Sequence, residues 1–223
     1  MRTALLSGLS VVVVAGVLAA PVSATAVPVS PRAGSTVSTS HPTFRWQLGP
    51  GDVAESISVS SSSAIGVTGD FAKLAIADIL HGNPRRWTSR QALLAGKYWW
   101  HLAFHTSAGR LVFSPATPFT VRAVLALVSL KLHEAGNGVF ASLTFRANVR
   151  NVDVSEKLFA GTKLLSSHSS ATDNLLIDNP TQDQSVLTVP STVKHGATLK
   201  LVATMSIAGS ATGLTTSKTF RAA

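Results

Sequence analysis

The clearest strand in this sequence of 223 residues is Tyr98-Trp99-Trp100-His101-Leu102-Ala103-Phe104-His105. Successive side chains of a strand point to opposite faces of its sheet. One face therefore carries Tyr98, Trp100, Leu102 and Phe104, and the other carries Trp99, His101, Ala103 and His105. The turn-forming run Ser107-Ala108-Gly109-Arg110 follows and predicts a hairpin. A strand with one large apolar face is typical of a sheet that packs against a core.

Alternation of this kind runs through most of the chain, whereas a sustained helical period is nearly absent. The stretch Thr43-Phe44-Arg45-Trp46-Gln47-Leu48 places Phe44, Trp46 and Leu48 on one face, before a turn at 49–52. We expect Trp46 and Trp100 to face each other across two packed sheets. The sequence thus predicts an all-β protein.

Three stretches of the first half resemble a bacterial fibronectin type III-like domain. They are Val29-Ser30-Pro31-Arg32-Ala33-Gly34-Ser35-Thr36-Val37, then His41-Pro42-Thr43-Phe44-Arg45-Trp46, and Leu94-Ala95-Gly96-Lys97-Tyr98-Trp99-Trp100-His101-Leu102. Ser114-Pro115 and Phe119-Thr120-Val121 match the end of such a domain. The resemblance covers about residues 28–121 and implies a β-sandwich with no defined ligand. Tyr98, four residues after Leu94, suits the tyrosine corner of these sandwiches.

The segment from Ala64 to Gln91 is longer than a minimal domain of this kind needs, which indicates an insertion. Within it, Asp70 to Leu80 fits either a few turns of helix or a strand with a turn.

The second half also alternates, but it carries no family motif. Its apolar rows are Ala141, Leu143, Phe145 and Ala147, and later Leu199, Leu201, Ala203, Met205 and Ile207. About seven short strands with turn signals between them favour an immunoglobulin-like sandwich. We place the boundary at about residue 122, so that the predicted domains are 27–122 and 123–223.

The first 26 residues are typical of a secretory signal peptide. Arg2 supplies a minimal positive start, an apolar run extends from Ala4 to Ala20, and Ala24-Thr25-Ala26 fits a signal peptidase site. Cleavage after Ala24 is the near alternative, and a retained membrane anchor is the other. The run of about 17 residues is at the short limit for spanning a bilayer. We therefore expect a secreted chain with no membrane anchor after cleavage.

Composition excludes several kinds of chemistry. The chain has no cysteine, so disulfides, thiolate catalysis, Cys-ligated zinc and iron–sulfur clusters are excluded. No G-x-S-x-G motif is present, and the ten acidic residues lie in no recognisable catalytic setting. We expect no enzyme activity and no cofactor. A small secreted hydrolase is the least favoured alternative.

Two groups of residues raise the question of a metal. His101 and His105 share a strand face, but four residues along a strand span about 13 Å, too far for both to bind one ion. We therefore expect two solvent-facing histidines. The stretch with Asp173, Asn174, Asp178, Asn179 and Asp183 has the oxygens that calcium prefers, but Asx residues are also common in turns. We predict no metal site.

The chain is basic, with a net charge of +9 from 19 Lys plus Arg and 10 Asp plus Glu. Residues 27–122 hold nine basic and four acidic residues, whereas residues 123–223 hold nine and six. The candidate ligand-binding residues are Trp99, Trp87, Arg85 and Arg86, because Arg and Trp can hold an anion or stack on a sugar.

The sequence predicts a secreted, non-enzymatic interaction or spacer protein. Its expected partner is an anionic cell-wall polymer, a glycan or a protein, since export and the lack of a known module disfavour nucleic acid. An accessory carbohydrate-binding module is the alternative, which an exposed aromatic strip near Trp99 and Trp87 would favour.

Overall fold

The computed structural model describes residues 26–173, 179–208, 210 and 213–222. These residues form sixteen β-strands and no helix, which confirms the all-β prediction. Accordingly, the described ranges contain no helix with the length and apolar character needed to cross a bilayer. The predicted signal peptide lies outside the described residues, apart from Ala26, as do Asn174 and Asp178.

The strands of residues 27–121, the first sandwich, form two sheets. The smaller sheet has the order β1-β3-β6, made of Val27–Ser30, Thr43–Gln47 and Arg86–Thr88. The larger has the order β2-β9-β7-β4-β5, made of Ser35–Val37, Thr117–Val121, Gly96–His105, Val53–Ser60 and Ile76–Ile79, and β8 (Leu111–Phe113) also pairs with β7. Neighbouring strands are antiparallel except β2 and β9, which are parallel.

The two sheets bury the predicted aromatic faces against each other. Phe44 of β3 contacts Trp100 of β7 with ring centroids 5.1 Å apart, and it contacts Phe119 of β9 at 5.6 Å. Trp46 and Trp100 lie in opposite sheets and in the same buried cluster, as predicted. The ring of Tyr98 is also buried and lies 5.8 Å from that of Phe119.

The long connection between β4 and β6 contains the strand β5 and a folded segment, residues 61–75. Of the two expectations for Asp70 to Leu80, the strand with a turn is therefore the one found. The segment is closed by main-chain hydrogen bonds, from Ala72 N to Ala64 O (2.9 Å) and from Gly66 N to Asp70 O (2.7 Å). It lies on the outer face of β7, since Phe71 stacks on His101 with ring centroids 4.2 Å apart.

Because the segment 61–75 covers part of the outer face of β7, the prediction of two solvent-facing histidines is wrong for His101. His101 is only 1% exposed, although its strand face was expected to meet solvent. The outer face of β7 is buried there because the segment 61–75 supplies Asp70 and Phe71 above it. His105, beyond the cover, is exposed as expected.

Residues 125–222 form the second sandwich, also from two sheets. One has the order β10-β11-β14, made of Leu125–Ala135, Gly138–Ala147 and Thr181–Thr188. The other has the order β13-β12-β15-β16, made of Lys163–Asp173, Asn151–Ala160, Thr198–Ile207 and Gly213–Arg221. Neighbouring strands pair antiparallel throughout. The apolar rows identified in the sequence, such as Leu143, Phe145, Leu199 and Leu201, are buried.

Asn148 joins the two sandwiches. It follows β11, is 1% exposed, and holds the connection between β9 and β10 through its side chain. Its Nδ2 donates to Arg122 O (2.8 Å), and its Oδ1 accepts from Val124 N (2.7 Å). Its carbonyl accepts from Ala95 N of the first sandwich at 2.8 Å. One buried residue thus contacts the connection and both sandwiches, although the boundary at residue 122 stays a prediction.

Candidate functional site

Two arginines lie side by side on the solvent face of the small sheet in the first sandwich. Arg45 of β3 and Arg86 of β6 are directly opposite in the antiparallel register, and both are exposed. The next opposite pair, Thr43 and Thr88, shares this face, with hydroxyl oxygens 2.8 Å apart. We call these four residues the arginine face.

The arginine face has cationic donors and no carboxylate to balance them. Neither guanidinium has an acidic partner among the residues that the structure describes. Like charges directly opposite each other on a sheet destabilise the pairing. A guanidinium presents its donors in a planar fork that matches a carboxylate or phosphate. An anion bound between the two arginines would offset the repulsion between their charges and accept hydrogen bonds from both guanidinium groups.

The alternation of β3 already indicated that Arg45 points away from the core. It could not indicate Arg86 as its neighbour, because the two residues are 41 positions apart in the sequence and meet only through strand pairing.

Arg85 and Trp87 flank Arg86 in the chain. Arg85 is exposed, and its carbonyl accepts a hydrogen bond from Trp46 N (3.2 Å). Trp87 is half-buried: its ring lies 5.7 Å from Phe44, and its Nε1 donates to Asp78 Oδ2 at 2.8 Å. Trp87 also lines a shallow hollow of about 220 Å³ together with Asp78, Arg90 and Gln91.

Trp99 belongs to the other sheet, on β7. It is half-buried, and the Lys97 ammonium group lies 5.0 Å from its ring centroid. The four candidate residues are therefore split. Arg85, Arg86 and Trp87 lie together at the edge of the small sheet, whereas Trp99 lies on the outer face of the large sheet, and the two tryptophans form no common strip.

The segment 61–75 brings three polar side chains together over β4 and β7. His101 Nε2 is 2.7 Å from Asp70 Oδ1, and the Ser58 hydroxyl donates to Asp70 Oδ2 at 3.0 Å. Burial lowers the pKa of His101, and the hydrogen bond to Asp70 opposes that shift. The hydroxyl is bonded to the carboxylate and not to the imidazole, so His101 does not act as a base on Ser58 in this arrangement. The group is suited to holding the segment in place.

The second sandwich buries two carboxyl groups between its sheets. Burial raises the pKa of Glu156, and the nearby charge of Asp183 acts in the same direction. The Ser185 hydroxyl donates to Glu156 Oε2, and Asp183 Oδ1 accepts from Ser170 (2.9 Å) and Thr172 (3.2 Å). Within the described ranges, no three histidine, aspartate or glutamate side chains meet as metal ligands would. Asp173 is exposed, whereas Asp183 is buried and points to the other sheet.

No protein-family model matches the chain, and no curated protein does either. Similar solved structures include the fibronectin(III)-like modules of Clostridium thermocellum CbhA, with 15% identity and a TM-score of 0.31 over 89% of this chain and 94% of that one. A tetra-tandem repeat from the extending region of a large adhesion protein has 10% identity and a TM-score of 0.42, over 89% of this chain and 49% of that one.

Proposed function

We propose that the protein is an exported, non-catalytic interaction module, and that its arginine face binds an anionic polymer outside the cell. The observation that carries this proposal is the pair of opposite arginines, Arg45 and Arg86, with no acidic partner among the described residues.

An extended ligand suits this surface better than a small enclosed one. The arginine face is an open strand surface and not a cleft, so a single small anion would stay largely in water. A polymer with charges at intervals can contact Arg45 and Arg86 together, and the exposed Arg85 and Arg90 add positive charge close by in the sequence. The overall excess of basic residues would steer an anionic chain toward the protein.

The test is a pull-down of the chain 27–223 with washed wall sacculi and with soluble anionic polysaccharides across a salt series. We expect binding that weakens as salt screens exposed charges. The variant Arg45→Gln with Arg86→Gln should bind about tenfold more weakly, since charge-assisted hydrogen bonds are lost.

A matched control is Arg146→Gln with Arg150→Gln, because both arginines are exposed in the second sandwich and the loss of charge is the same. Equal weakening by the two double variants would mean that only net charge matters. Undiminished binding by the Arg45 and Arg86 variant would overturn the proposed face.

A carbohydrate-binding module is the second candidate, favoured by the hollow that Trp87, Asp78, Arg90 and Gln91 line. Binding to neutral polysaccharide that resists salt and is lost in Arg90→Ala would support it. If the Trp99→Ala variant loses this binding instead, the sugar-binding site lies on the outer face of β7.

A further inference from the structure

The outer face of the sheet β10-β11-β14 carries a groove of about 720 Å³. We call it the Phe140 groove, and its lining includes Lys131, His133, Phe140, Ser142, Gln184 and Val186. A volume of this size is within the range of small-molecule sites. The groove is far in sequence from the arginine face and lies in the other sandwich.

Strand register organises the groove as two parallel rows. In the first row, Phe140 on the central strand stands between His133 and Val186, its direct partners on either side. Phe140 is 43% exposed and Val186 is 58% exposed. The His133 ring is 6.3 Å from the Phe140 ring. Gly138 lies two residues before Phe140, and a Cβ at this position would lie 3.9 Å from Phe140 Cε2 and 3.5 Å from Val186 Cγ1.

The second row is polar. Ser142 on the central strand stands between Lys131 and Gln184. Gln182, two residues before Gln184 on β14, donates from Nε2 to Ser142 Oγ at 2.6 Å. This hydrogen bond holds the Ser142 hydroxyl in place, and the exposed side chain of Gln184 stands beside it in the same row. Lys131 has no acidic partner among the described residues, and none of the described residues that line the groove is acidic.

We propose that the Phe140 groove binds a short saccharide that carries a carboxylate. The apolar face of a sugar ring would lie on Phe140, its hydroxyls would bond to Gln184, Ser142 and His133, and its carboxylate would pair with Lys131. An anionic ligand is favoured because the lining contains Lys131 and, among the described residues, no acidic residue. An apolar peptide would leave Lys131 desolvated and unpaired, and a second copy of the same face would bring cations together with no acid to pair them.

The groove is independent of the arginine face, so the two proposals fail separately. The probe is an oligogalacturonate, and its matched control is the same oligomer with the carboxyl groups reduced to alcohols. Binding is followed by calorimetry and by amide chemical shifts in the chain 27–223. We expect shifts on β10, β11 and β14, and at least roughly tenfold tighter binding of the acidic oligomer.

Lys131→Gln should bring the affinity for the acidic oligomer down to that for the neutral one. Its matched control is Lys200→Gln, an exposed lysine on β15 of the other sheet, which should leave the affinity unchanged. Phe140→Ala should weaken both oligomers roughly tenfold. Phe140→Leu keeps apolar bulk without the ring, so a folded Leu variant with the same loss assigns the effect to stacking.

Equal affinity for the two oligomers, or shifts confined to the arginine face, would overturn the proposal. Concentration-dependent dimerisation that Phe140→Ala abolishes, without saccharide binding, would assign the groove to a second copy instead. Sedimentation velocity measures that outcome.

Discussion

Glu156 places a carboxyl group in the interior of the second sandwich. The residue is 0% exposed, and its Oε1 has no hydrogen-bond partner among the described residues. The groups that face it are Ser185 and Asp183 on β14 and His168 on β13. A buried acid with this surrounding is more easily held neutral than charged, because burial penalises the ionised form.

The stability of the second sandwich should therefore depend on pH. The raised pKa of Glu156 means that the folded state retains a proton that the unfolded chain releases near pH 4.5. The contribution is fully present below that pH and is lost as pH rises through the folded-state pKa. Glu156→Gln keeps the shape and is neutral at every pH, so it should melt at least about 2 °C higher than the parent at pH 8.

At pH 4 the two proteins should melt at about the same temperature. Scanning calorimetry from pH 4 to 8 makes the comparison, with Asp153→Asn on the exposed side of the same strand as the control. A melting temperature for Glu156→Gln that stays parallel to that of the parent over this range would contradict the prediction.

At the scale of elements, side-chain contacts of Asp70 and Phe71 and main-chain bonds such as that from Ala75 N to Val59 O (2.8 Å) attach the segment 61–75 to the first sandwich. The His101–Asp70 pair is buried on the histidine side and is reinforced by Ser58 and by the stacking of Phe71. A hydrogen bond to a charged group in such a place contributes about 1.5–3 kcal/mol. The segment is thus held by a local attachment that can open while the main core stays folded.

Asp70→Ala should release this segment selectively. Amide exchange at Ala72, whose N–H is bonded to Ala64 O, should become at least roughly tenfold faster. Exchange at Trp100 in the core should stay unchanged. The matched control is Glu55→Ala, which removes the exposed 2.9 Å pair with His105 and should have little effect. Uniformly faster exchange across the first sandwich would show that the segment is part of the main core.

The strands of the first sandwich show which structural features the local sequence pattern can predict. The alternation of β3 and β7 predicted the aromatic core of the first sandwich correctly, because the side-chain period is a property of each strand. Burial of His101 could not be predicted in this way, since it depends on where a segment thirty residues earlier folds back. Arg45 opposite Arg86, and Phe140 between His133 and Val186, likewise depend on strand register.

For the whole molecule, Asn148 bonds to the connection and to the first sandwich, so we expect it to limit the relative motion of the two sandwiches. Asn148→Ala removes both side-chain hydrogen bonds to the connection, and it leaves Arg122 O and Val124 N without those partners. We expect a loss of about 1–3 kcal/mol at the joint and larger relative motion of the two halves.

Relaxation of backbone ¹⁵N nuclei measures this motion as separate rotational correlation times for residues 27–121 and 125–222. Asn151→Ala is the control, since this exposed asparagine lies three residues away at the start of β12. Correlation times that remain equal in Asn148→Ala would show that the side chain does not stiffen the joint.

The parallel pairing of β2 with β9 has a mechanical consequence. These strands lie near the start and the end of the first sandwich, with Ser35 opposite Phe119 and Val37 opposite Val121. The bonds from Gly34 N to Pro118 O and from Arg122 N to Val37 O, each 2.8 Å, extend the ladder at both ends. Tension applied through the two ends of the sandwich would pull parallel strands in opposite directions along their length. The ladder would then be loaded in shear, so that its bonds must break together and not one after another.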